Sequence, residues 1–509
     1  MASFIRKVPT GSGARAVQVV HKQGREVVGI DHIGSAHDDA QLAVLMEVAR
    51  QRLLPGQDTL DLTPGSAPGV RAGTGSDAGG GARVAGTSSR LLWDVLAGAY
   101  QRLGFDVVGD ETFKRLVLAR IIEPTSKADT IRVLSEIGVP APGLRTIFRS
   151  LGRCVARDYR DQVSRACVAH SARGGRVAMV LYDVTTLHFE AEKEDQLRRV
   201  GMSKEHRVDP QVQVGLLVDP AGFPLEVHLF EGNRAETKTL IPVLTAFAQR
   251  HEVADMVVVA DAGMLSAANL NALEDAGFSF VVGSRITKAP YDLAEHFSRH
   301  GDYLDDGQIL ESTRIMGAGK ATRERRVVYQ YKFKRYRHDN RAINAMVARA
   351  EKIATGATAM AKARFVKVTG ATKEVDQALV DRARQLAGLK GYVTNLPVTA
   401  MDGQAVIDAY HDLYQVERSF RMAKSDLRAR PVFHHDRDAI EAHLTVVFAA
   451  LAIARELQAA TGVSLKRLVQ TLRPMRTVTI DIAGHTITAK PQLSADAQQI
   501  LAKLPPVAG

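Results

Sequence analysis

Cysteine and aromatic side chains are scarce in this chain. Its 509 residues hold only two cysteines, Cys154 and Cys167, and a single tryptophan. One bridge at most is available, and no second pair of metal-binding residues stands near either thiol. A disulfide scaffold or a cysteine-ligated zinc site is therefore excluded, and a reduced intracellular chain is the expectation. Aromatics make up 6% and apolar residues 45%, ordinary for a soluble globular protein and unlike a disordered or membrane protein. Long apolar runs are missing too. The longest, LTVVFAALAIA from Leu444 to Ala454, is about half the ~20 residues of a membrane span and is flanked by His443 and Arg455, so it reads as a buried core helix. The start, MASFIRKVPTGSG, has no apolar core followed by a cleavage site, so no signal peptide is expected. Nor is there a glycine-rich phosphate loop of the nucleotide-hydrolase type, which argues against a nucleotide cofactor.

What is present is length and positive charge. At about 150 residues per domain the chain is long enough for two to four folded units. Lys plus Arg outnumber Asp plus Glu by 67 to 56, a net +11 that favours a polyanionic partner. The excess concentrates between Arg314 and Arg341, where ten Lys or Arg face only Glu324 and Asp339.

Composition divides the chain. Residues 1–54 combine alternating runs at Phe4 to Val8 and Ala16 to Ile30 with a helical pattern from Asp38 to Leu54, a small β-plus-helix unit. Residues 55–89 are rich in Gly, Ser, Ala and Pro, cannot bury a core, and read as a linker. Residues 90–172 carry helical periodicity at Leu91 to Leu103, Glu111 to Ile122, Ser126 to Ile137 and Leu144 to Ala169. From Arg176 the grammar changes to strands: VAMVLYDVTTLHF, QVQVGLLVD and FPLEVHLFEGN, the last two joined by the turn Asp219-Pro220-Ala221-Gly222. A helix from Ala235 to Arg250, the strand MVVVADAGM, a helix SAANLNALEDAG and the strand FSFVVGSRI follow, a mixed α/β order.

Three carboxylates sit where carboxylates are costly. Asp183 lies inside an apolar strand, and Asp261 directly follows one. On a helix expected from Gln404 to Leu427, Glu417 and Lys424 interrupt the stripe Val406, Tyr410, Leu413, Phe420. Taken singly, each has a bland explanation as a turn cap or a solvated helical residue. Brought together, two Asp and a Glu can hold a pair of hard divalent cations for phosphoryl transfer.

At these residues the chain resembles the DDE transposases of bacterial insertion sequences. The blocks YDVTTLHFE, VVVADAGM and YHDLYQVERSFRMAKSDLRARPVFH carry the resemblance, from Val180 to Gln458, with an echo in LARIIEPTSK. The subgroup is the one with a Tyr, Arg, Glu, Lys signature around its catalytic Glu. The resemblance implies an α/β, ribonuclease H-like mixed sheet flanked by helices and interrupted by a strand-rich insertion. Here the helical region and the small N-terminal unit precede it. It implies catalytic, metal-holding roles for Asp183, Asp261 and Glu417, with two Mg²⁺ or Mn²⁺ ions. Tyr410 and Lys424 would contact DNA. Leu413 stands where the family carries its Arg, and Arg421, one turn after Glu417, is the candidate for that phosphate contact. The implied activity is cleavage of the element's terminal inverted repeats and their joining to target DNA, by a homodimer in the bacterial cytoplasm at the nucleoid.

Asp261 and Glu417 are 156 positions apart, more than a connecting loop needs, so an insertion is expected over residues 290–390 before the core resumes through residues 391–460. Within it RERRVVYQYKFKRYRH alternates basic and aromatic residues, making Arg325, Lys334 and Arg337 candidates for a DNA-end surface; the alternative is a solvated edge strand. His188 and Glu190 read as a strand-end polar pair. His434 and His435 lack spacing partners as metal ligands. Glu231 and Asn233 read as serving the start of the next helix. Base recognition is expected from residues 1–54 or 90–172, and residues 461–509 carry no functional signal. Two rivals stand beside the transposase: a ribonuclease H-like nuclease or resolvase that cuts without joining, and a non-catalytic DNA-binding inhibitor of transposition.

Overall fold

A computed structural model describes residues 2–11, 13–24, 26–53, 83–175, 177–190, 193–201, 209–253, 255–264, 266–284, 289–359, 363–369, 372–434, 436–482 and 485–505. The chain divides into two compact units, one of Met1–Val163, Ala423–Ala429 and Asp438–Gly509, the other of Ser164–Met422 and Arg430–Arg437.

The first unit opens with an antiparallel sheet of β1 (Ala2–Pro9), β2 (Arg15–Gln23) and β3 (Glu26–Ala36), covered by α1 (Asp39–Leu53). Val17, Val19, Ala36, Leu42 and Ala49 form its core. The run expected from Ala16 to Ile30 is thus two strands, turning at Gly24, whose φ of 67° suits a residue without a Cβ. Residues 54–82, most of the expected linker, lie outside the described residues. Its last part is a strand, β4 (Arg83–Ser88). Helices α2 (Arg90–Arg102), α3 (Glu111–Ile122), α4 (Lys127–Ile137), α5 (Leu144–Ala156) and α6 (Tyr159–Ser171) follow the expected pattern, the last one broken in two where Asp158 adopts a φ of 48°. Asp110 caps α3, accepting from the amides of Thr112 and Phe113 at 2.9 and 3.1 Å, while its other oxygen takes Ser150, Arg153 and Tyr159. Burial alone would raise its pKa; the bonds from Arg153, the Phe113 amide, Ser150 and Tyr159 outweigh that and lower it.

The second unit is built on one mixed sheet of eight strands. Its first strands are β5 (Met179–His188), β6 (Gln211–Val218) and β7 (Pro224–Glu231), a meander whose last turn is closed by Gly222 N–H donating to the Asp219 carbonyl at 2.8 Å. Then come α7 (Leu240–His251), β8 (Val257–Ala260), α8 (Ala267–Asp275), β9 (Ser279–Ser284), and the short helices α9 (Ala289–Asp292) and α10 (Ala294–His300). The chain continues through β10 (Ile309–Met316), β11 (Arg323–Tyr331), α11 (Phe333–Ala354), the hairpin β12 (Val366–Thr369) and β13 (Thr372–Val375), α12 (Gln377–Gln385) and β14 (Leu389–Thr394). The strand order is β10-β11-β14-β9-β8-β5-β6-β7, with β5, β8 and β9 parallel. Every residue of β6 is buried, as a strand covered on both faces requires, and its Gln211 and Gln213 amides donate to the carbonyls of Gly232 and Arg234.

The expected strand-rich insertion is therefore distributed differently. Its β10 and β11 extend the main sheet, and only α11, the β12–β13 hairpin and α12 form a separate layer with its own core of Ile343, Ala350, Phe365, Val380, Ala383 and Ala387. Nor is β11 an edge strand, since it lies between β10 and β14.

The single helix expected from Gln404 to Leu427 is two, α13 (Gly403–His411) and α14 (Tyr414–Ser425). The turn between them is held by Leu413 N–H to the Tyr410 carbonyl and Gln415 N–H to the Asp412 carbonyl. After α14 the chain contributes α15 (Arg437–Thr461), in which Leu444 to Ala454 are all buried, and among the described residues no single helix is long and apolar enough to cross a membrane. It closes with α16 (Leu465–Leu472), β15 (Thr477–Ile482), β16 (His485–Ala489) and α17 (Ala495–Ala502). β15 pairs with both β16 and β4, and Glu136 of α4 binds Ser35, His32, Arg132 and Arg473. Residues 461–509 thus complete the first unit rather than trailing from it. Burial pushes the Cys154 thiol up to about 12, and both cysteines are free.

Candidate active site

The carboxyl ends of parallel strands form the usual ligand edge of an α/β sheet, because the connections there leave a crevice. Here β5 and β8 pair in parallel register with Tyr182 beside Ala260, so the next position on each strand is Asp183 and Asp261. Neighbouring strands lie ~4.8 Å apart, so the two residues follow adjacent strand positions at the same end of the sheet. Asp183 is half-buried and Asp261 exposed. The two residues singled out in separate strands of the sequence are thus brought to one spot.

Glu417 lies on the second of the two helices, α14, and is exposed. This helix is tied to the sheet by Ser419, whose hydroxyl donates to the Gly222 carbonyl at 2.9 Å, and the chain after it returns to the end of β5, where Val432 bridges Phe189. Oxygen donors of this kind suit a hard divalent cation. Among the described residues, no three of His, Cys, Asp or Glu are gathered at metal-holding distance. Arg421, on α14, is exposed, and Lys424 on its last turn is half-buried.

Tyr410 is placed differently from a DNA-facing side chain. It is buried, and its hydroxyl donates to Asp261 Oδ1 at 2.7 Å. Burial and the neighbouring Asp261 push its pKa well above that of a free phenol, so it stays a donor. Its ring meets Tyr392 edge-on at 5.0 Å, and Lys390 Nζ stands 4.4 Å from the ring centre. Burial lowers the Lys390 pKa, Arg335 adds to that, and Asp261 opposes it.

Four residues of this edge escaped the sequence reading. Lys390 is the second residue of β14, antiparallel to β9, at the sheet end where β9 finishes, since Gly391 pairs with Ser284. Gly283 on β9 leaves room for Tyr410: a Cβ there would stand 2.7 Å from its hydroxyl oxygen. Glu236 and Asp261 both reach toward Gly263, where an added Cβ would be 3.7 Å from Glu236 Oε2 and 4.0 Å from Asp261 Oδ2. The 3₁₀ turn Glu236–Lys238 is anchored to β5 by Thr239, which donates to the Glu236 carbonyl and accepts from buried Tyr182 at 3.0 Å. The signal in the sequence was the apolar-strand neighbour Tyr182, a polar handle inside a buried run. Helix α7 begins only at Leu240, so Glu231 and Asn233 precede this turn; Glu231 instead accepts from Arg234 at 3.2 Å. The His188 backbone carbonyl accepts from the Val432 amide, and Glu190 is exposed. His435 lies outside the described residues.

The basic stretch divides in two, and Arg325 is a correction. Its side chain is fully buried, bound by Glu274 at 2.8 Å and by Asn271, so it cannot face DNA. Arg323 pairs with Glu274 and Asp275, Arg326 with Glu311, and Arg314 with Asp292. These charges hold the sheet together. Lys334 and Arg337 are exposed on the first turns of α11, beside the exposed, stacked rings of Phe333 and Tyr336 at 6.1 Å.

Comparison with known proteins places the chain in a family. The family described as "Transposase DDE domain" matches residues 178–453, more than half of the chain and the whole of the eight-stranded sheet. The protein belongs to that family of transposases. No curated protein matches the sequence. Among solved structures it is similar to a piggyBac transposase in a synaptic complex with hairpin DNA, at 9% identity over 76% of this chain and 70% of that one, with a TM-score of 0.36.

Proposed function

We propose that the protein is a DNA transposase of a bacterial insertion sequence, in the subgroup with the Tyr-Arg-Glu-Lys signature. It binds the terminal inverted repeats, cuts the DNA at them and joins the freed ends to target DNA. The observation that carries this is the register that sets Asp183 beside Asp261 at the carboxyl edge of β5 and β8. Asp183 and Asp261, with Glu417, would hold the two Mg²⁺ or Mn²⁺ ions. Such ions supply activation of the attacking oxygen and stabilisation of the departing one.

The chain's own residues do the rest. In the first step water attacks phosphorus and the 3′-oxygen leaves as a 3′-hydroxyl; in the second that hydroxyl attacks a target phosphodiester, again in line. Arg421 and Lys424 lie along α14 and would bind phosphates near the cut. Lys334 and Arg337 would bind the DNA end, with Phe333 and Tyr336 offering faces for unpaired bases. Base recognition falls to the first unit, because contacts to phosphate carry little sequence information. Two copies are needed to hold two ends, and no nucleotide cofactor is required.

Incubating the full chain with a DNA fragment carrying the element's end, with and without Mg²⁺, is expected to give Mg²⁺-dependent cuts at the repeat boundary. In the presence of a target plasmid it is expected to give joined products. Cutting without joining would assign the protein to the nuclease class, and binding without cutting to the inhibitor class. Changing Lys334 and Arg337 together to Ala is expected to weaken end binding and to flatten the slope of log affinity against log salt by about 2, near one unit per lost phosphate contact. An unchanged slope would remove this helix from the DNA interface.

A further inference from the structure

We infer that Gly283, Tyr410 and Lys390 form a positioning device that aims the Asp261 carboxylate. This rests on the reading of Asp261 as a cation-holding residue and adds how it is held. A carboxylate at a strand end turns freely about its side-chain bonds, and a useful ligand must be fixed by a second partner. Tyr410 supplies that partner, with its hydroxyl 2.7 Å from Oδ1. The other oxygen, Oδ2, is left on the side of Gly263 and Glu236.

The tyrosine is itself held from three directions. Tyr392 packs edge-on at 5.0 Å, Lys390 stands over the ring at 4.4 Å, and the hydroxyl lies over Gly283. A side chain at 283 would meet the hydroxyl oxygen at 2.7 Å and the Ala262 Cβ at 3.0 Å, so only glycine leaves the slot open. The backbone there is an ordinary strand, and the need for glycine is spatial. A phenol has one proton to donate, and Asp261 takes it. Tyr410 therefore acts through Asp261, in contrast to the DNA contact implied by the family resemblance.

The test uses the full chain and Mn²⁺ alone, with free Mn²⁺ followed by electron paramagnetic resonance, and separately the affinity for end DNA in metal-free buffer. Tyr410→Phe and Gly283→Ala are each expected to raise the Mn²⁺ half-saturation concentration by about 10- to 100-fold, the range for loss of a ligand-orienting partner. Affinity for end DNA should change by less than about twofold. The double variant should be no worse than either single one, because both remove the same bond. Lys390→Met should produce a smaller shift in the same direction. If Gly283→Ala lowers the melting temperature, Tyr410→Phe, which removes one oxygen, carries the test. Weakened DNA binding in Tyr410→Phe with unchanged Mn²⁺ affinity would overturn the inference and make Tyr410 a phosphate contact. Asp261→Asn serves as the control: if it leaves Mn²⁺ binding intact, the metal-site reading itself fails.

Discussion

Asp183→Asn is expected to leave a folded protein whose single-turnover cleavage of end DNA in Mg²⁺ falls by at least about 10²- to 10³-fold, and Asp261→Asn should do the same. Each change keeps the shape of the side chain and removes only its charge. The strands that carry them are fixed independently, by parallel pairing from Met179 beside Val257 to Tyr182 beside Ala260. Without a cation, two neighbouring carboxylates repel one another, so either Asn variant should also melt at the same or a slightly higher temperature in chelator. Added cation should then stabilise the native protein more than the variants, because only the former binds it tightly. An Asn variant that cuts within tenfold of the native rate, confirmed as folded by circular dichroism, would sink the assignment.

The second large effect falls on stability. Arg325→Ala is expected to cost about 3–5 kcal/mol, the range for breaking a buried ion pair by removing one partner. The guanidinium is fully buried and meets both oxygens of Glu274, itself mostly buried, with Asn271 completing the shell. Truncation leaves that carboxylate without its main partner inside the sheet–helix layer, where Arg323 still pairs with it. Arg325→Met should cost less, since it preserves the packing over Phe280, whose ring lies 6.0 Å from the guanidinium carbon. Denaturant melts of the two variants check the order. A loss below about 1 kcal/mol for Arg325→Ala, with end binding reduced instead, would restore the residue to the DNA surface.

The contrast between Asp183 and Arg325 marks what a sequence can carry. A carboxylate inside a continuous apolar strand is anomalous on its own, which makes Asp183 legible, and Asp261 is legible because it directly follows such a strand. An arginine in an alternating basic run is not, because its partner Glu274 lies 51 positions away and only folding brings them together. The turn after Asp412 was hidden by the same kind of limit. The apolar spacing of Val406, Tyr410, Leu413 and Phe420 stays in helical phase across it, so Tyr410 and Glu417 look like one face when they belong to two helices. Strand β4 was masked by its Gly- and Ala-rich neighbours and is specified by pairing with β15, far along the chain. The role of Gly283 was unreadable, since a strand glycine shows its purpose only when the side chain above it is known.

The layer formed by α11, the β12–β13 hairpin and α12 leaves the sheet from β11 and returns through β14, its immediate neighbour. The two ends are already clasped, the Lys332 amide donating to the Gly388 carbonyl at 3.0 Å. For an excursion closed in this way, each doubling of its length costs only about 0.6 kcal/mol of extra closure entropy. Such a segment can be exchanged wholesale for another that begins and ends at the same clasp, with the strands carrying Asp183 and Asp261 undisturbed. If Lys334 and Arg337 meet DNA as proposed, the segment that presents them can change its DNA preference without rebuilding the sheet edge that carries Asp183 and Asp261.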